Sequence, residues 1–207
     1  MQALILVDLQ NDFLPKGRLP VPGGDAVVDV ANRLMPLFDL VIALQDWHPP
    51  NHGSFAANHP GHRRGETVKL AGLSQLLWPT HCVQGTTGAA LCPRLDLSQI
   101  DRVIRKGTDP RLDAHSGFHE AGRRRSTGLD DYLRRHEVHE LFIMGLATEH
   151  CVKHTALDAR ELQWDTVVLL QGCRGFDARP GDVEGALNEM RAAGVRLSES
   201  DEQVGAG

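Results

Sequence analysis

Three residues of this sequence have types and settings that suit acyl transfer: Cys151, Lys106 and Asp8. Cys151 falls just inside the start of an expected helix, after an apolar strand ending near Gly145. Unpaired N–H groups and the helix dipole favour an anion at such a position, which would lower the thiol pKa and make a nucleophile. The competing reading is a buried structural cysteine. Cys82, Cys92 and Cys173 lack this setting and read as structural. Lys106 closes the apolar stretch Val103-Ile104-Arg105. A lysine there is commonly a solvated edge charge, but beside a cysteine it would stabilise thiolate. Asp8 ends the first apolar run, where a carboxylate either caps a turn or works as a general acid/base. Spacing alone does not bring these three together.

A second constellation is Asp46-Trp47-His48. Alternate residues of an extended segment face the same way, so Asp46 and His48 can address one ion. His81 as a third ligand would leave coordination positions open, the arrangement of a catalytic rather than a structural metal site. Two histidines and a carboxylate suit a divalent ion, zinc first, with iron or manganese as alternatives. Five of the 11 histidines (His48, His52, His59, His62, His81) crowd this stretch. His52 is close enough to be an auxiliary group, whereas His59 and His62 sit among Pro, Gly and Arg and read as solvated. The bland alternative is that these histidines hydrogen-bond locally and that D-x-H is chance.

These residues need elements to position them. Ala3 to Val7 is a continuous apolar strand, followed by helical spacing at Val27, Val30, Ala31 and Leu34, with Asp25 able to cap the start. Asp39 to Leu44 reads as a second strand, and from Gln45 to Leu70 the pattern dissolves into a long loop of the kind that is usually functional. A short helix is expected around Leu73 to Leu77, a strand at Arg102 to Arg105, and a helix over Leu129 to Arg135 capped by Thr127. A strand at Leu141 to Met144, a helix over Glu149 to Leu162 and a strand at Thr166 to Leu170 follow. A helix over Asp182 to Ala193, ended by Gly194, leads to a last strand at Val195 to Leu197. Alternation of this kind predicts an α/β fold, a mainly parallel sheet with helices on both faces. Asp8, Asp46, Lys106 and the Ala147–Cys151 segment all fall where strands end, and sites in open α/β sheets form at the carboxyl ends of strands.

Composition bounds the rest. The 207 residues fit one domain, and 41% hydrophobic with 24% charged residues is an ordinary globular balance. A net charge of -5 argues against nucleic-acid binding, which needs clustered Lys and Arg. The one basic run, Arg123-Arg124-Arg125, reads as a solvated face. No segment has the roughly 20 apolar residues that span a bilayer. The run after Met1 is too short for a signal-peptide core with a cleavage site, so a cytoplasmic location is expected and the four cysteines are expected as thiols. Whether the chain forms a homo-oligomer is open at this level.

With these residues in view, the sequence resembles the nicotinamidase (pyrazinamidase) family, within the isochorismatase-like cysteine hydrolases. The likeness runs in ordered blocks over nearly the whole chain: Asp8-Leu9-Gln10-Asn11-Asp12-Phe13, with Gly17, Leu19, Val21 and Gly23-Gly24 after it; Gln45-Asp46-Trp47-His48-Pro49 and Asn51-His52-Gly53-Ser54-Phe55; Trp78-Pro79-Thr80-His81-Cys82-Val83-Gln84-Gly85-Thr86; Lys106-Gly107; and Gly145-Leu146-Ala147-Thr148-Glu149-His150-Cys151-Val152, running on to Thr155-Ala156-Leu157-Asp158-Ala159. The resemblance implies a three-layer αβα fold around a six-stranded sheet, as one domain over 1–207 with a metal-binding loop region at about 45–85. It implies Asp8, Lys106 and Cys151 as a triad and Asp46, His48 and His81 as ligands of one divalent ion that helps hold a pyridine nitrogen. Phe13 and Trp78 match ring-packing aromatics, Leu146 joins them at the substrate, and Leu146–Ala147 matches a cis peptide. The N–H groups of Ala147 and Cys151 would face the developing oxyanion. The activity implied is hydrolysis of nicotinamide to nicotinic acid and ammonia through a cysteine thioester, in NAD salvage, with pyrazinamide as a further substrate. The departures are His115 where relatives have tyrosine before Ser-Gly-Phe, Glu149 where they have Asp, and Gly175-Phe176 in place of Ala-Val. His115 puts one pocket wall in question. Within the same fold, an isochorismatase would lack the cysteine and metal set, and a carbamoyl-amine hydrolase would keep the cysteine without Asp46-x-His48. A catalytically silent metal-binding or redox-sensing protein is the alternative outside enzymes.

Overall fold

A computed structural model describes residues 1–120, 122–200 and 204. In chain order the elements are β1 (Gln2–Val7), α1 (Asp25–Leu34), β2 (Leu40–Asp46), β3 (Thr67–Leu70), β4 (Leu73–Leu76), β5 (Arg102–Lys106), β6 (His119–Glu120), β7 (Arg125–Ser126), α2 (Leu129–Arg135), β8 (Glu140–Leu146), α3 (Lys153–Glu161), β9 (Asp165–Arg174), α4 (Asp182–Ala192) and β10 (Arg196–Ser198). A π-helical turn, Thr148–Val152, leads directly into α3.

Six strands form one sheet in the order β10-β9-β8-β1-β2-β5, and every pairing in it is parallel. Parallel strands buried on both faces need continuous apolar runs. β2 is buried along its whole length, and β1 is buried from Ala3 onward. The chain moves one way from β1 to β2 and β5, then crosses back to β8 and continues the other way. Right-handed crossovers running in opposite directions put their helices on opposite faces. The β1/β8 boundary is therefore the topological switch point, where a crevice opens at the carboxyl ends of the strands. Val7 pairs with Gly145 across that boundary, so the segments after both strands enter the same crevice.

Local chemistry explains where expectation and structure differ. Leu73 to Leu77 is not a helix: Leu73–Leu76 pairs antiparallel with Thr67–Leu70, in register Leu70 with Leu73. The leucines at 73, 76 and 77 imitate a helical face, but Ala71 and Gly72 both have positive φ (47° and 83°). That two-residue turn matches the twist of a hairpin. Asp25 lies inside α1 rather than at its cap, which is Gly24 without a side-chain bond. Gly128 takes the cap position of α2 at φ 86°, yet Thr127 Oγ1 still accepts from Leu129 N–H at 3.2 Å. The helix expected from Glu149 opens as the π turn, so Cys151 belongs to that turn and not to the first turn of an α-helix. Among the described residues no helix is long and apolar enough to cross a membrane.

Candidate active site and metal centre

Each strand end delivers one group to the crevice. Asp8 follows β1 with φ 53°, a left-handed conformation that aspartate tolerates better than most residues. Asp46 ends β2, and Lys106 ends the adjacent β5 in register with it. Lys106 is fully buried, so its charge needs partners. Its Nζ donates to Asp46 Oδ1 and to Ala114 O (3.1 Å), and lies 2.9 Å from Asp8 Oδ2 and 3.5 Å from Cys151 Sγ. Acceptor atoms of Asp8 and Asp46 and the Cys151 sulfur lie within 4.8 Å of one another. The three residues whose meeting spacing could not establish are thus in contact around one ammonium.

The electrostatics follow from that arrangement. Burial pushes the Asp8 carboxyl up to about 6, with Lys106 pulling against it and Asp46 adding to it. Asp8 thus titrates where a base that must both take and return a proton is useful. Burial also works to raise Asp46, but the Lys106 and His48 charges outweigh it and hold the group well below the usual carboxylate range. Burial works to lower Lys106, and the carboxylates of Asp46 and Asp8 reverse this and keep it an ammonium. The Cys151 thiol corrects an expectation. Burial pushes it well above its ordinary value, Lys106 opposes, and Asp8 raises it further. The same carboxylate lies beside the sulfur, where it could accept the thiol proton.

Asp46 is shared with a second cluster. Donor atoms of Asp46, His48 and His81 lie within 4.8 Å of one another, and all three residues are buried. His48 Nδ1 donates to Gly107 O at 2.9 Å and His81 Nδ1 to Pro79 O at 2.8 Å. Those bonds orient the rings and leave both Nε2 atoms aimed at Asp46 Oδ2, at 3.5 Å and 3.9 Å. Such separations are long for direct hydrogen bonds, and a backbone carbonyl behind each ring is the usual support of a metal-ligating histidine. Burial, then His48, lowers His81 to about 4, so it is a neutral imidazole with a free lone pair. The donor set fits a divalent ion. Gly107 is required beside it: φ is +64°, and a Cβ would strike the His48 ring.

A cavity of about 30 Å³ is lined by Phe13, Trp78, Ala147 and Cys151 together with Asp46, His48 and His81. His115 lines it too, and it also borders a wider groove of about 470 Å³ outside. Leu146 does not line the cavity; it is fully buried in the core. The Leu146–Ala147 peptide is cis. His52 stays out of the ligand set: Nδ1 meets Ser54 Oγ at 2.7 Å, and the ring packs on His48 with centroids 4.3 Å apart. His62 pairs with Glu66 on the surface.

Other polar groups of the site carried no clear sequence signal. Asp113 borders the cavity, and its carboxylate accepts from Gln75 Nε2 at 2.6 Å. Burial would raise it, but the imidazoles of His115, His48 and His52 bring it to about 2. Gln10 clamps both sides of Asp46: Nε2 donates to Asp46 O and Oε1 accepts from Asp46 N–H, each at 2.8 Å. Asp12 accepts from Cys82 N–H at 2.7 Å, just after His81. Glu120 accepts from Gly107 N–H at 2.9 Å. Gln10 and Asp12 belong to the first motif, but only their distant partners reveal what they hold. Asp113 lies in irregular chain between β5 and β6 and Glu120 ends the two-residue strand β6, and no sequence pattern points to either.

An isochorismatase domain model matches residues 2–202. The chain belongs to the isochorismatase family. It is 51% identical to a nicotinamidase of Escherichia coli over 200 residues, 95% of this chain and 93% of the relative. A solved Acinetobacter baumanii nicotinamidase/pyrazinamidase superposes with a TM-score of 0.94 at 41% identity, covering 98% of each chain. The zinc complex of a Pyrococcus horikoshii pyrazinamidase superposes with a TM-score of 0.79 at 36% identity, covering 96% of this chain and 99% of the other. The fold described above is thus the fold of that family.

Proposed function

We propose that this chain hydrolyses nicotinamide to nicotinic acid and ammonia through a thioester on Cys151, as a step of NAD salvage, and that it accepts pyrazinamide too. The observation that carries the reading is one buried lysine touching both Asp8 and Cys151, with Cys151 lining a cavity that the Asp46, His48 and His81 cluster also lines. The similarity to nicotinamidases supports the substrate class. The whole chain acts as one unit, with the loop of about residues 45–85 built into its site. Four unpaired, buried thiols suit a reducing, cytoplasmic setting.

In this reading Phe13 and Trp78 hold the pyridine ring and aim its amide at Cys151. Asp8 takes the thiol proton as Sγ bonds to the carbonyl carbon, and Lys106 holds the charge between them. The N–H groups of Ala147 and Cys151 donate to the oxyanion as it develops. As the C–N bond breaks, Asp8 returns the proton to the leaving nitrogen and ammonia departs. Water then adds to the thioester with its proton passing to Asp8. The C–S bond breaks, and the thiol is restored as the acid leaves. Asp46, His48 and His81 would hold a divalent ion, zinc in this reading, which when bound supplies a Lewis-acidic position for the pyridine nitrogen.

The test is ammonia release from nicotinamide, with nicotinic acid identified by mass spectrometry. Wild type should turn over and Cys151→Ala should not, though the variant still binds substrate. Absence of turnover in the metal-loaded wild type, or its persistence in Cys151→Ala, would sink the reading.

A further inference from the structure

Two of the departures from the resemblance, Glu149 and Gly175-Phe176, meet in space. Glu149 lies in the π turn two residues before Cys151 and is buried. Its Oε1 accepts from the N–H groups of Phe176 and Asp177, at 2.7 Å and 2.9 Å. Its Oε2 has no hydrogen-bond partner among the described residues and lies against residue 175. A Cβ at position 175 would overlap that oxygen and come within 2.5 Å of Val183 Cγ2. The Glu149 carboxylate, carried one methylene further than an aspartate's would be, occupies with Val183 Cγ2 the space that a side chain at 175 would fill.

The consequence is the position of the next residue. Phe176 lines the catalytic cavity, with its ring 6.4 Å from Trp78 and 6.0 Å from His150 between centroids. Its Cα is tied, through Glu149, to the turn that carries the nucleophile. A side chain on an untethered loop could swing away, but a charge-assisted pair of backbone bonds holds this one.

We propose that Glu149, Gly175 and Phe176 act as one positioning unit that sets the width of the cavity mouth, with Phe176 as the specificity-determining wall. The unit admits flat, unsubstituted heteroaromatic carboxamides and excludes rings with a substituent on the Phe176 side. The substrate class rests on the function proposed above; the geometry of the mouth does not.

The first test needs no turnover. Cys151 is labelled with iodoacetamide and, separately, with the bulkier N-cyclohexylmaleimide, and the rates are read by mass spectrometry. Phe176→Ala should raise the ratio of bulky to small labelling at least tenfold, about the discrimination that a few pocket atoms supply. An unchanged ratio overturns the proposal. Gly175→Ala should raise the same ratio by displacing the Glu149 carboxylate, and Glu149→Asp with Gly175→Ala should melt higher than Gly175→Ala alone. A double variant no more stable than that single variant removes the size-compensation argument. In the second test, Phe176→Ala should raise kcat/KM for 5-methylnicotinamide relative to nicotinamide by about the same factor. A wild type inactive on nicotinamide would overturn the proposed function alone, because the labelling ratio still decides the mouth.

Discussion

Replacing Lys106 with methionine removes the cation at the centre of the site and keeps much of its bulk. Nζ lies 3.5 Å from Cys151 Sγ, and unit charges at that separation attract by about 5 kcal/mol at an effective dielectric of ~20. Taken alone, that loss would raise the thiol pKa by about 3.5 units. Asp8 offsets most of it. Its carboxyl already sits at about 6, and Lys106 is the main neighbour holding it down. In the variant Asp8 keeps its proton at neutral pH, so a negative charge within 4.8 Å of the sulfur disappears as well. By the same arithmetic this returns at least about 3.5 kcal/mol, leaving a net change of at most about 1 kcal/mol. Labelling of Cys151 by iodoacetamide should therefore slow by no more than about tenfold. Turnover should fall much further, because a protonated Asp8 cannot act as the base, a role worth about 10²–10⁴ in rate. The assay follows iodoacetamide labelling by mass spectrometry and ammonia release on the same preparation at pH 7.5. Loss of the two by the same factor, or turnover near the wild-type value, would refute the placement of Lys106 between base and nucleophile.

The value of about 6 for Asp8 predicts that kcat/KM on nicotinamide falls as pH drops through 6, since the base form is lost below it; a flat acid limb would contradict this. The same shift has a stability consequence of opposite sign. The folded state holds this proton more tightly than an ordinary carboxyl at 3.8, so Asp8 contributes stability below that value that is lost as pH rises through about 6. Asp8→Asn should flatten the pH dependence of melting over that window, as calorimetry can check. His48→Ala and His81→Ala should each lower bound zinc by elemental analysis and cost on the order of a hundredfold in turnover through misplaced substrate, while iodoacetamide labelling of Cys151 stays largely intact. His62→Ala should do neither, and full metal with full activity in both ligand variants would show the assignment wrong. Gln10→Leu should destabilise by about 2–3 kcal/mol, because both backbone groups of Asp46 lose buried partners. A melting temperature lowered by about 4–12 °C is the expected reading, and no shift would show that the clamp is not needed.

The fold and the individual residues Asp8, Asp46, His48, Lys106 and Cys151 were legible in the chain because their signals are local; that Asp8, Lys106 and Cys151 meet was not. The apolar runs ending at Asp8, Asp46 and Lys106 specify buried parallel strands, and a polar residue closing such a run must sit at a strand end. Asp46 and His48 announce a shared ligand because alternate residues of extended chain point together. Where local pattern misled, a neighbour or a turn overruled it: the leucines of 73–77 carry helical spacing, but the turn at Ala71-Gly72 makes them a hairpin. The Cys151 setting suggested a lowered pKa from its place near a helix start. Only the packed site shows that burial and Asp8 outweigh Lys106 and that the π turn replaces the expected α-helical start. What needed the tertiary structure are pairings across long stretches of sequence: Lys106 with Asp46 and Asp8, Gln10 around Asp46, Glu120 behind Gly107, Glu149 against Gly175. The physical reason is that each is a buried charge or amide whose partner is chosen by strand order. A sequence shows the group that must be satisfied, and only the fold shows which distant group satisfies it.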